Sequence, residues 1–75
     1  MIAHYLRPDG AHMKVDDTAL VVINVLDRDD AKFIGRFSKP SYVNAIIADL
    51  PKFAPIDEAT FVVKFNAVKE YLNNL

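Results

Sequence analysis

Residues 19–37, "ALVVINVLDRDDAKFIGRF", are the stretch on which the fold turns. The run "ALVVINVL" at 19–26 is rich in β-branched side chains and has the length of an interior strand. "DRDD" at 27–30 is a charged turn, and "AKFIGRF" at 31–37 alternates like a half-buried strand. An odd-length connection aligns Ala19, Val21, Ile23 and Val25 with Ala31, Phe33, Gly35 and Phe37. That register makes one face wholly apolar, so it is expected over the even-length alternative. It leaves a surplus, because Leu20, Val22 and Leu26 then share the second face with Ile34.

Upstream lies "HYLRPDGAH", residues 4–12. Pro8 presets φ for a turn, Asp9 bonds the backbone locally and Gly10 accepts a positive φ. A three-residue loop with Gly10 in a bulge pairs Leu6 with His12, Tyr5 with Met13 and His4 with Lys14. One face becomes Ala3, Tyr5, Ala11, Met13 and Val15; the other becomes His4, Leu6, His12 and Lys14. Asp16-Asp17-Thr18 is a polar break before residue 19. The four segments predict an antiparallel meander.

Two helices are expected downstream. In "KPSYVNAIIADLP", residues 39–51, Pro40 suits a first helical turn, and Val43, Ile46, Ile47 and Leu50 follow helical spacing. Pro51 ends that helix, and "KFAP" at 52–55 reads as a linker with Phe53 as a core plug. "TFVVKF" at 60–65 has strand composition, yet Phe61, Phe65, Val68, Leu72 and Leu75 form one helical stripe. Pro55, Asp57 and Glu58 would sit in the first turn, where the dipole favours negative charge. One helix over about 56–74 is the preferred reading. The fold class expected is a single α+β domain spanning residues 1–75: about four strands in a meander, then two helices.

Composition narrows the function. The chain has 75 residues, 52% of them hydrophobic, and no cysteine, so packing must stabilise it without disulfides. A formal net charge of −1 argues against general attraction to nucleic acid or membrane. No apolar run reads as a signal peptide or a membrane span, and a cytoplasmic location is expected.

Candidate chemistry is sparse. His4 and His12 become diagonal neighbours on the wet side of the hairpin, roughly 7–8 Å apart. Two imidazoles beside Lys14 do not make a zinc site, so neither metal nor cofactor is expected. "DRDD" lacks the glycine and distal glutamate of a calcium loop. With only Ser38 and Ser41 as serines, no cysteine and two separated glycines, neither a catalytic nucleophile nor a phosphate loop is evident. An enzyme is not expected.

The surplus face points instead to docking. Leu20, Val22, Leu26 and Ile34, rimmed by Asn24, Lys32, Arg36, His4 and His12, form the expected partner-binding patch, provided both helices cover the other face. The alternative is that the helices divide between the two faces. Asp27, Asp29 and Asp30, with Asp9, form an expected acidic rim at the turn end of the meander. The expected function is a small protein-binding module, an inhibitor or adaptor, with homodimerisation as its companion. A phage-encoded blocker of a host defence or regulatory complex is one instance, suggested by small size and the lack of motifs. The alternative is a nucleic-acid-binding regulator using Lys32, Arg36 and Lys39.

Overall fold

The first hairpin forms as its turn chemistry dictates. Gly10 takes φ 93°, its N–H donates to the Arg7 carbonyl at 2.9 Å, and the Arg7 N–H donates to the Ala11 carbonyl at 2.9 Å. The Asp9 carboxylate accepts the Ala11 N–H at 3.1 Å. Strands β1 (Ile2–Leu6) and β2 (His12–Asp16) therefore pair in the expected register, with Tyr5 opposite Met13 and Leu6 opposite His12. The computed structural model describes every residue from Met1 to Leu75.

Asp16 organises the next turn, its Oδ1 accepting the N–H groups of Thr18 and Ala19 at 3.0 and 2.9 Å. Leu20 completes the reversal with φ 56°, a left-handed conformation costing a branched side chain roughly 1–2 kcal/mol. Strand β3 (Val21–Arg28) thus starts two residues after the expected position and ends two residues beyond the expected end. Strand β4 (Ala31–Phe37) follows after a connection of only Asp29 and Asp30.

That even-length connection overturns the expected register. Val22 pairs with Phe37, Asn24 with Gly35, Val25 with Ile34 and Leu26 with Phe33. Phe33 and Phe37 consequently share a face with Val22, Asn24 and Leu26, while Ile34 shares one with Ile23 and Val25. The physical reason is that each face of the sheet carries a helix, so selection for one wholly apolar face does not operate.

Helix α1 (Pro40–Asp49) begins with proline in its first turn and buries Val43 and Ile46 against Met13, Val15 and Val22. A single 3-10 turn, Leu50–Lys52, carries the chain past Pro51. Helix α2 (Glu58–Asn73) lies on the opposite face, where Phe61 and Val68 close over Val25 with Ile23, Ile34, Phe65 and Leu72 around them. Its N-cap is Asp57, which accepts the Thr60 N–H at 2.7 Å. The preferred single C-terminal helix forms, although Pro55 lies outside it and Leu75 is exposed beyond its end.

Pro55, expected in a linker, belongs to a strand. Strand β5 (Ala54–Ile56) pairs antiparallel with β1, setting His4 opposite Ile56 and Leu6 opposite Ala54. The sheet order is β4-β3-β2-β1-β5, so the meander gains a fifth strand at its β1 edge. A proline is tolerated there because an edge strand needs only one hydrogen-bonded side. The result is an α+β fold in which an antiparallel sheet is covered by one helix on each face.

Candidate functional site

The expected docking patch does not form. Val22 is 0% exposed and Asn24 4%, both under the α1 side of the sheet. Leu20 is half-buried against the same cluster. Ile34 points the other way and packs beneath α2. The premise that both helices share one face fails, and with it the surplus.

The acidic rim loses Asp27. Asp27 sits on the α2 side, where its carboxylate accepts from Lys32 of β4 and, at 3.1 Å, from Lys64 of α2. These two ammonium groups, Lys32 first, hold the Asp27 carboxyl below the usual carboxylate range. Asp9 pairs with Arg7 at 3.2 Å and Asp30 with Arg28 at 3.3 Å. Asp29 and Asp30 remain exposed at the β3–β4 turn.

The histidines are not on a wet face. His4 is 9% exposed because Phe61 of α2 covers its ring. His12 is half-buried, with Nδ1 3.1 Å from the Gly10 carbonyl oxygen. No group of three or more His, Cys, Asp or Glu side chains is placed to hold a metal ion. Of the basic residues proposed for nucleic acid, Lys32 is engaged by Asp27 and lies 5.3 Å from the Tyr71 ring centroid. Arg36 and Lys39 are exposed, and Arg36 forms no ion pair.

What stands open instead is the β4 edge. The opposite edge is β5, three residues long and carrying Pro55, which limits further pairing. β4 is seven residues long with no strand on its outer side. Its two-residue loop makes Arg28 and Ala31 the closing hydrogen-bonded pair, so Lys32, Ile34 and Arg36 turn their N–H and C=O groups outward.

Aromatic side chains line this edge on the α1 side. Phe33 is 43% exposed, and Phe37 packs on Tyr42 of α1 with ring centroids 5.0 Å apart. Both phenylalanine rings fold over Gly35, where an added Cβ would come within 2.7 Å of Phe33 Cε2 and 2.9 Å of Phe37 Cε2. The expected register places these rings in the core, and the structure leaves Phe33 exposed. The signal in the sequence was the spacing Phe-x-Gly-x-Phe, in which a glycine between same-face aromatics leaves room for them to lie flat.

Comparison of the chain with protein-family models, curated proteins and solved structures gives no match. No helix is long and apolar enough to cross a membrane.

Proposed function

We propose that the chain is a non-enzymatic protein-binding module that docks by strand addition at β4. A second copy of the chain is the occupant that its own residues fit best. The observation carrying this reading is the seven-residue β4 edge, open along its length beside the exposed Phe33. Unpaired edges of this length are templates for another strand.

Charge selects the register of self-pairing. Outward-facing residues must meet outward-facing residues, so an antiparallel two-fold axis can pass through residue 33, 34 or 35. An axis at Ile34 sets Lys32 against Arg36 of the second copy, twice, which is repulsive. An axis at Gly35 offers no opposite charges, since Lys32 then meets Ser38. An axis at Phe33 sets Arg36 against Asp30 twice, Ala31 against Gly35, and the two exposed Phe33 rings against each other. This last register is the one proposed.

A single strand pair is a small interface, so micromolar affinity is expected. Sedimentation equilibrium tests it. The parent chain should dimerise reversibly, Arg36→Asp should weaken the dimer at least about tenfold, and Arg36→Asp with Asp30→Arg should restore it. A chain that stays monomeric at high concentration, or a swap that restores nothing, would overturn the reading.

A further inference from the structure

Helix α2 leaves one corner of its sheet face open, and there two cations flank an apolar strand. Strand pairing places Lys14, Ile23 and Arg36 in one row across β2, β3 and β4. The next row holds Ile2, Asp16 and Val21. With Ala19 these residues line a cleft of about 290 Å³. Its floor is apolar, and the two cations stand on either side of Ile23.

Neither cation is held in an ion pair. Lys14 and Arg36 take part in none of the six ion pairs of the chain. Asp16, the acid in the cleft, has Oδ1 committed to the N–H groups of Thr18 and Ala19. Strands lie about 4.8 Å apart, so the Lys14 and Arg36 backbones are separated by about 10 Å. Both side chains are long enough to close on a single group held over Ile23.

We propose that this cleft binds a small anion carried on an apolar body, either a carboxylate or a phosphate monoester. The anionic group sits between Lys14 and Arg36, and the apolar body lies on Ile23, Val21 and Ile2. A cleft of this size takes a small ligand, such as a single ring or a short chain bearing the anionic group. A ligand so small on so open a face binds with a Kd on the order of 1 mM. The site is complete within one copy and does not rest on docking at β4. Arg36 is shared between the two, so binding is measured at protein concentrations below and above self-association.

The test is an amide NMR titration with four probes: 3-phenylpropanoate, phenyl phosphate, inorganic phosphate and 3-phenylpropylamine. Saturable shifts at Lys14, Val21, Ile23 and Arg36 are expected with the first two, and the tighter of them identifies carboxylate or phosphate as the preferred head group. Inorganic phosphate should bind at least about tenfold more weakly because it cannot use the apolar floor. The amine should produce no saturable shift at these positions. Lys14→Gln with Arg36→Gln should lower affinity for the better anion at least about tenfold, with the remaining spectrum unchanged. The proposal is overturned if neither organic anion saturates, if the amine or inorganic phosphate binds equally well, or if the double variant binds like the parent.

Discussion

The imidazole of His4 on β1 packs against the ring of Phe61 on α2, with centroids 5.3 Å apart and planes tilted by 43°. A histidine that reads as the wet side of a hairpin is therefore part of the contact holding α2 to the sheet. Its neighbour His12 reaches back to Gly10 and lines an open cleft beside the start of α2 without an aromatic partner there. The two should differ sharply on truncation. His4→Ala should cost about 2 kcal/mol in urea unfolding, through lost burial and the lost aromatic pair, and His12→Ala less than about 0.5 kcal/mol. Equal effects would mean that α2 does not rest on His4.

Asp27 ties β3, β4 and α2 together through Lys32 and Lys64. Its carboxyl titrates below the ordinary value when folded, so its stabilising contribution is present above about pH 4 and is lost as pH falls through the folded value. Asp57, held down by the Thr60 N–H at the start of α2, acts in the same direction. The same pair holds the Lys32 ammonium above its ordinary value, so at the alkaline end it is lost only as pH rises through that raised value. Asp27→Asn should lower Tm by about 3 °C at neutral pH. The gap to the parent should close under acid, when the parent loses the same charge. A gap constant from neutral to acid pH would contradict this account.

Asn24 carries a buried side-chain oxygen with no hydrogen-bond partner, in the row between Met13 and Gly35. Such an atom costs about 1–3 kcal/mol of desolvation. Asn24→Val should therefore raise stability by about 1 kcal/mol, helped by the strand preference of a β-branched side chain. A lower Tm would show that the amide contributes more than its bonding in the fold accounts for.

Val22 discriminates between the two ways of placing the helices. Were its face free, Val22→Lys would fold and lose only association. Buried beneath Val43 and Ile46, the variant must desolvate an unpaired ammonium at a cost of several kcal/mol. Circular dichroism should show it largely unfolded; a native spectrum would place α1 elsewhere.

Much of this architecture was legible in the sequence. The Pro8-Asp9-Gly10 turn defined the first register, Pro40 and Pro51 bracketed α1, and the stripe Phe61, Phe65, Val68 and Leu72 identified α2. What failed was the partition between faces. Val22 and Ile34 are equally apolar whether water or a helix lies above them, so the pattern could not say which helix went where. A wrong connection length then put Phe33 and Phe37 on the wrong side. Strand β5 was hidden by Pro55, whose penalty applies to central strands and not to an edge. The open β4 edge was invisible for a related reason: it consists of backbone groups, and side-chain patterning does not report which strand is outermost.

Gly35 links the fold to the proposed docking. Gly35→Ala pushes a Cβ against the free ends of the Phe33 and Phe37 rings, which are side chains able to swing aside. Stability should change by less than about 1 kcal/mol, because the gain in backbone entropy offsets the displaced contacts. Self-association should nonetheless weaken, since Phe33 leaves the position from which it meets its counterpart. An undiminished dimer would remove Phe33 from the interface.

Strand addition at β4 depends on outward N–H groups, and that of Arg36 can be removed without touching the core, because its side chain is exposed. Sedimentation velocity on Arg36→Pro and Arg36→Gln, each beside the parent, isolates the backbone donor from the charge. Both variants should keep the parent's far-ultraviolet circular dichroism. The account predicts that Arg36→Gln still dimerises at micromolar concentration, somewhat more weakly than the parent, while Arg36→Pro remains a monomer throughout. A proline variant that associates as well as the glutamine variant would contradict docking at this edge.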